Sequence, residues 1–330
     1  MKSTVTAPAN IAFIKYWGKK DDALRLPLNP SLSMNLSGAL TTTTVEFLPD
    51  LKTDSVYYLE NNQESGFDES EIKKVSRHLD RIREIAKSSL FAKVVTSNTF
   101  PKCSGVASSA SGFAALTVAA ATALNLNLNE KTLTTLARIG SGSACRSIPD
   151  GFVVWEEGDD NDSSFARSIF PESWWNLRDI LCIVKSCTKK ICSTDGMEHI
   201  ITCPHIQTRL DQVKNRLDRA LTSIQHKDFA ALGDVMEEDC IDMHAVMMTQ
   251  KPPLFYWTGV TMELIRAVHE WRNEGIPVYF TIDAGANVHL ICEAENEKKV
   301  MDKLADFPGV VQTIVNHPSV GARITDKHLF

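Results

Sequence analysis

A glycine- and serine-rich bridge between a strand and an alanine-rich helix limits this chain more than any other stretch. Residues 92–99 read as a β-strand, and residues 113–124 are apolar, alanine-rich and of helical character. Between them, PKCSGVASSASG (101–112) places Gly105, Ser108, Ser109, Ser111 and Gly112 just ahead of the helix. Small residues let a backbone pass close to a ligand, and the free N–H groups of a helix start attract anions. Serine hydroxyls add hydrogen bonds and contacts to a metal-bound phosphate. A Ser/Gly turn taken alone also reads as a serine-capped buried helix. Which reading holds depends on whether the other segments supply an anion and chemistry for it.

The 330 residues allow two domains of ordinary size or one large one, and 43% apolar with 23% charged residues suits a soluble protein with a sizeable core. A net charge of −6 argues against a general nucleic-acid or membrane-surface binder. The start, MKSTVTAPANIAF, lacks the apolar stretch of a secretory signal, and no run approaches the roughly 18 apolar residues of a membrane span. Eight dispersed cysteines point to a reduced cytoplasmic protein. Cys182, Cys187, Cys192 and Cys203, interleaved with His199 and His205, form no CxxC pair and do not match common zinc spacings.

Along the chain, residues 3–15 read as a strand entering a loop. Residues 26–36 (LPLNPSLSMNL) carry turn chemistry at Asn29 and Pro30, and 41–48 and 56–59 read as strands. Residues 68–87 have helical spacing through Ile72, Val75, Leu79, Ile82 and Ile85. A helix at 129–139 ends in a second small-residue run, and a strand at 151–155 runs into the acidic loop EEGDDNDSS. A domain junction is expected shortly after that loop. Beyond it the order is strand 180–184, helices 205–224, 228–247 and 261–273, strands 278–282 and 288–292, helix 295–305 and strand 310–315. That rhythm fits a split βαβ, ferredoxin-like layer.

Three further segments stand apart from ordinary core or surface. Two aromatic residues sit among Lys15, Lys19 and Lys20, which a strand end with solvated lysines also explains. In IGSGSACRS (139–147), small residues leave room beside Arg146, whose planar fork suits a carboxylate or phosphate; a helix cap with a surface arginine is the plainer reading. In TIDAGANVHL (281–290), Asp283 ends an apolar strand at a turn, a place for a turn former or for a catalytic base. No GxxxxGK[ST] loop occurs, and no GxGxxG with its required context.

Taken together, IAFIKYWGKK, LPLNPSLSMNL, GVASSASGFAAL, GSGSACRS, STDGM and TIDAGANVHL, in this order and approximate spacing, resemble the mevalonate diphosphate decarboxylases. These belong to the galactokinase–homoserine kinase–mevalonate kinase–phosphomevalonate kinase superfamily. HAVMMTQKPPLFYW (244–257) resembles a further family segment, and the likeness runs to about residue 292. GVASSASG is shared in outline by the superfamily, whereas YWGKK with GSGSACRS points to the decarboxylases.

The resemblance implies an α+β fold of two domains with the active site in the cleft between them. Residues 1–178 would form a ribosomal-protein-like domain binding ATP and substrate, and 179–330 a ferredoxin-like domain carrying the catalytic aspartate. It implies ATP-dependent decarboxylation of 5-diphosphomevalonate with Mg²⁺, by a cytoplasmic homodimer that binds neither nucleic acid nor membrane. Asp283 would act on the C3 hydroxyl as base or orienting group, Arg146 would hold the substrate carboxylate, and Asn10 would help to position Arg146 and the substrate. Tyr16, Lys19 and Ser193 would hold the diphosphate, with Ser141 and Ser143 also on the substrate. Ser104, Gly105, Val106, Ala107, Ser108 and Ser109 would cradle the ATP phosphates, helped by Lys189 or Lys190, with Mg²⁺ at Ser108 or Ser109. Pro149-Asp150-Gly151 replaces the family's usual aromatic-Gly-Gly, and Ala286 stands where a proline is common. The alternatives are a phosphomevalonate decarboxylase or a C3 kinase on the same fold and, more remotely, a non-catalytic RNA-binding module.

Overall fold

The computed structural model describes residues 1–330 except 62, 101–107 and 185–192, and for Ser193 and Thr194 the backbone alone. In chain order the first half carries β1 (Lys2–Ile14), a hairpin of β2 (Lys19–Asp21) and β3 (Leu26–Pro27), β4 (Ser31–Leu48), β5 (Ser55–Glu60) and β6 (Gln63–Gly66). There follow α1 (Glu69–Ala86), β7 (Phe91–Asn98), α2 (Ser108–Ala123), α3 (Glu130–Gly140), β8 (Phe152–Trp155) and β9 (Ala166–Phe170). The second half carries β10 (Leu177–Val184), α4 (Ser193–Met197), α5 (Ile206–His226), α6 (Phe229–Thr249), α7 (Gly259–Asn273) and β11 (Tyr279–Thr281). β12 (Val288–Glu293), α8 (Glu297–Leu304), β13 (Val310–Asn316) and β14 (Arg323–Thr325) complete it.

β1 is buried along almost its whole length, so it must lie inside a sheet. It pairs antiparallel with β4 on one side and with β14 on the other. The sheet continues as β14-β1-β4-β7-β5-β6, and the 18-residue β4 also receives β8, which pairs with β9. β4 serves two neighbours in turn: Ser31 to Met34 face β8, and Thr41 to Leu48 face β7. Just after the turn residues Asn29 and Pro30, the strand is already formed at Ser31. Ser31, Ser33 and Asn35 alternate with Leu32, Met34 and Leu36, and this period of two is the strand's signature. β1 carries register shifts between Pro8 and Asn10 and between Ala12 and Ile14, and such bulges re-aim side chains.

α2 is buried along nearly all of its length because it lies under β1 and β4 with α1 and α3 beside it. Its alanines permit that close approach. The opposite side of β1 and β4 packs Ile11, Phe13, Leu32 and Met34 against Val213 and Leu217 of α5 and Leu232 and Val235 of α6.

The second sheet is antiparallel, in the order β11-β12-β10-β13. Its Leu181 and Ile291 join the core shared with α5 and α6, while Ile180, Cys182 and Leu290 pack on α7 and α8. The helical pair α5–α6 is therefore wedged between the two sheets of a two-domain α+β fold. β14 returns the end of the chain to the first sheet. Among the described residues no helix is long and apolar enough to cross a membrane.

Candidate active site

Arg146 lies in the 3-10 turn Gly142–Ser147 after α3 and is only 3% exposed. A buried guanidinium is costly unless its charge is compensated, yet its protein partners are neutral. Nε donates to Ser33 Oγ at 3.1 Å and to Asn10 Oδ1 at 3.3 Å. One terminal nitrogen donates to Ser31 Oγ at 2.7 Å, the other to Asn10 Oδ1 at 3.1 Å. A guanidinium has five N–H groups. One on each terminal nitrogen is thus left without a partner among the described residues. The group also lies over the Trp155 ring, 5.9 Å from its centroid. Burial draws its pKa below the ordinary arginine value, and Asp283 is the carboxylate among the groups opposing that shift.

Asn10 is aimed by the β1 bulge and held from behind. Its amide nitrogen donates to Ser147 Oγ at 2.8 Å and to the Ser143 carbonyl at 3.2 Å, which leaves its oxygen for Arg146. Asn10, Ser143 and Arg146 are thus one connected unit.

Asp283 follows β11 at the start of a turn that Gly285 closes by donating its N–H to the Asp283 carbonyl at 2.7 Å. One carboxylate oxygen accepts from Lys15 Nζ at 2.6 Å, with the lysine side chain 2% exposed and the aspartate 34%. Burial favours the protonated acid, but Lys15, then His289 and Arg146, outweigh it and hold the carboxyl below its usual range. The site therefore offers an ionised carboxylate with a lysine ammonium on one of its oxygens.

Tyr16 stacks obliquely on Trp155, with ring centroids 4.6 Å apart. Its ring lies so close to Gly142 that a Cβ there would stand 2.8 Å from a ring carbon. Burial pushes the phenol pKa up and keeps it a neutral donor. Ser141 caps α3, and its hydroxyl donates to Ser109 Oγ at 3.2 Å, joining the two small-residue loops. Ser108 and Ser109 begin α2. Lys19 is mostly buried and pairs with the exposed Asp22. Ser104, Gly105, Val106, Ala107, Lys189 and Lys190 lie outside the described residues, and Ser193 is described only as backbone in α4.

A cavity of about 270 Å³ opens beside the start of α2, lined by Tyr58, Phe67, Lys74, Thr96, Asn98 and Ser108, among others. Among the described residues no group of three or more His, Cys, Asp and Glu side chains is placed to hold a metal ion.

Three contributors were not assigned a role from the sequence. Lys15, after the apolar run IAFI, looked like one of several solvated lysines at a strand end. Ser31 and Ser33 lie in LPLNPSLSMNL, where their alternation with Leu32 and Met34 is the available signal. The departure at Asp150 points away from Arg146: its Oδ1 accepts from the Gly321 N–H at 2.7 Å, and both oxygens accept from Arg323. Next to it Gly151 adopts φ +65°, with the Phe170 carbonyl 2.4 Å from where a Cβ would stand.

The profile of the diphosphomevalonate decarboxylase-like N-terminal domain matches residues 7–166, and that of the mevalonate 5-diphosphate decarboxylase C-terminal domain matches 180–324. The diphosphomevalonate decarboxylase of Debaryomyces hansenii is 38% identical over 317 residues, spanning 91% of this chain and 81% of that one. The chain belongs to the diphosphomevalonate decarboxylase family. A solved structure of mevalonate diphosphate decarboxylase from Staphylococcus aureus is 37% identical and superposes with a TM-score of 0.91 over 98% of each chain. A complex of the protein called MDDEF with MVAPP, AMPPCP and magnesium gives 0.92 at 37% identity, over 98% of this chain and 99% of that one. For a chain in the diphosphomevalonate decarboxylase family, the reading as a non-catalytic RNA-binding module is set aside.

Proposed function

We propose that this chain catalyses ATP-dependent decarboxylation of (R)-5-diphosphomevalonate to isopentenyl diphosphate, in the mevalonate route to isoprenoids. The observation that carries this is the buried Arg146 with neutral protein partners, sharing a site with an Asp283 carboxylate held by Lys15. Such a pair suits a substrate that brings its own carboxylate and a hydroxyl.

In this reading Arg146 takes the substrate carboxylate with the N–H groups its neutral partners leave over. Tyr16, Lys19 and Ser193 hold the diphosphate, and Ser141 and Ser143 also contact the substrate. Asp283 orients the C3 hydroxyl and receives its proton as the oxygen attacks the γ-phosphorus of ATP, and ADP leaves. The C3–O bond then breaks and releases phosphate. The electrons of the bond to the carboxyl group form the new double bond, and carbon dioxide departs. Residues 104–109 cradle the ATP phosphates, Lys189 and Lys190 add positive charge, and the cavity beside α2 takes the adenosine. Ser108 and Ser109 offer hydroxyl oxygens to magnesium, which when bound neutralises charge on the transferring phosphoryl group.

We divide the chain at about 178/179, with the Asp283 domain following and β14 reaching back to the first sheet. Five buried free cysteines among the described residues suit a reducing compartment, and we assign the enzyme to the cytoplasm. Light scattering reads the expected homodimer as twice the 36.6 kDa of the chain.

The test offers mevalonate, its 5-phosphate and its 5-diphosphate with ATP and magnesium, and follows ADP and carbon dioxide together. Equal release of both products, fastest with the diphosphate, is expected. ADP without carbon dioxide would make the chain a C3 kinase, and preference for the monophosphate would change the substrate. Asp283→Asn should bind both substrates while kcat drops by about a thousandfold.

A further inference from the structure

Lys15 is held from the second half of the molecule by more than its ammonium group. β1 ends at Ile14, which still pairs with Leu32 of β4. The next peptide leaves the sheet, so its polar groups need partners elsewhere. The Lys15 N–H donates to Asp239 Oδ2 of α6 at 2.7 Å. Its carbonyl accepts from Arg209 of α5 at 3.2 Å and from Asn29 Nδ2 at 2.9 Å. Arg209 and Asp239 also bind each other, at 3.1 Å, and both side chains are fully buried. Arg209 reaches Asp242 Oδ2 as well, at 2.9 Å, and Arg216 donates to the same oxygen. One acid and one base thus grip the two polar groups of a single residue, as a neighbouring strand would.

A buried ion pair is a weak source of stability, because desolvation cancels most of the attraction. Here the pair is spent on the backbone of the residue whose Nζ lies 2.6 Å from Asp283. We propose that Arg209 and Asp239 are positioning residues: by gripping the Lys15 peptide they hold its ammonium on Asp283 and so set the orientation and charge of that acid in the reaction proposed above, on which this inference rests. A small displacement of a catalytic group is enough to lower turnover substantially.

The test uses the full-length enzyme with Arg209→Met/Asp239→Leu, which replaces the buried pair by apolar side chains. Such replacements are often neutral or stabilising for the pair itself, but the Lys15 N–H loses its acceptor, so the double variant should fold and melt a few degrees below wild type. Its kcat should fall by about ten- to a hundredfold while KM for both substrates stays within about threefold. The acid limb of the kcat–pH profile should move upward, since Asp283 would lose the charge that most favours its ionised form. The groups facing Asp283 are Lys15 from the end of β1, His289 of β12 and Arg146 of the 3-10 turn. His244 and Cys240 of α6 are also near, and burial keeps both neutral. If the double variant does not fold, Asp239→Asn keeps the shape but weakens the hold, because a neutral amide oxygen replaces the charged acceptor of the Lys15 N–H and of Arg209. Its kcat should fall about five- to tenfold with the same upward limb. A folded variant with kcat within about twofold of wild type, with its loss confined to KM, or with an unmoved acid limb overturns the positioning role. A wild-type enzyme that releases no carbon dioxide refutes the decarboxylase reading and the inference with it, whereas an active wild type with unaffected variants refutes the inference alone.

Discussion

Arg146 and Arg209 are both buried, at 3% and 1% exposure, and they solve the problem of a buried cation in opposite ways. Arg209 is met by Asp239 and Asp242, with Arg216 sharing the second acid. Its charge is balanced inside the protein. Arg146 is met by an asparagine and two serines, and no carboxylate lies within ion-pair distance of it among the described residues. Desolvation is therefore compensated at one arginine and left open at the other. A protein that leaves a guanidinium in this state gives up stability for an anion-binding group that needs no rearrangement. Burial alone does not separate the two residues; the charge of their partners does.

The largest effects should come from removing each arginine in turn. If Arg146 holds the substrate carboxylate as proposed, Arg146→Met should cut kcat/KM by about a hundred- to a thousandfold through loss of a charge-assisted, oriented partner. Its melting temperature should hold or rise, since an uncompensated buried charge is gone. Arg209→Met should do the reverse to stability and cost about 3–5 kcal/mol, because the buried Asp239 is left without its close cation. Denaturant unfolding beside steady-state kinetics reads both. If Arg146→Met unfolds as readily as Arg209→Met, Arg146 is a structural residue and the contrast fails.

The same pair explains how much was legible in advance. Arg146 stands out in the sequence because small residues surround it in GSGSACRS, leaving room for a ligand. Arg209 is one polar residue in a long amphipathic helix, where an arginine ordinarily faces water. Only the wedge of α5 and α6 between two sheets turns it inward. Asp283 was legible for a similar reason to Arg146, as an acid placed where an apolar strand meets an Ala-Gly turn. Lys15 was not, because a lysine after an apolar run reads as a solvated strand end, and the acid that pairs with it lies far along the chain. Ser31 and Ser33 depend on the partners of β4, which turn a proline-led stretch into a strand. Strand and helix rhythm locates many of the elements, whereas the two-domain α+β fold is what the family resemblance implies. Partners between distant segments had no local pattern to announce them.

Histidine offers a third answer, since it can shed its proton when arginine cannot. His78 and His244 are buried, and burial first of all lowers each pKa to about 3. Both are neutral in the folded protein, while in the unfolded chain they titrate near the ordinary value of about 6.5. Between those values the unfolded state binds more protons, so stability must fall as pH drops from about 6.5 towards 3. Each residue contributes a slope of up to about 1.4 kcal/mol per pH unit. His78→Asn and His244→Asn, measured by urea unfolding between about pH 6 and 4.5, should each show a shallower acid loss than wild type. Equal slopes would mean that these side chains are protonated in the fold, and that burial does not neutralise them.

The smallest effect belongs to the ion pair at the protein's edge. Asp150 and Arg323 have side chains 35% and 51% exposed, so water competes for both. Pairs of that kind contribute about 0–1 kcal/mol and weaken with added salt. Arg323→Gln should therefore change stability by less than about 1 kcal/mol, and the difference should vanish at high ionic strength. The sharper question is kinetic. Asp150 follows the Arg146 turn by a few residues and also accepts the Gly321 N–H, while Ile148 accepts that of Ala322. Residues 321–323 are thus fastened to the segment that carries Arg146. Since Asp150 points away from Arg146 and the backbone bonds remain, kcat/KM in Arg323→Gln should stay within about twofold of wild type. A tenfold loss at unchanged stability would show that an exposed pair outside the site tunes the buried arginine within it, and the division between compensated and open charges would then need a third member.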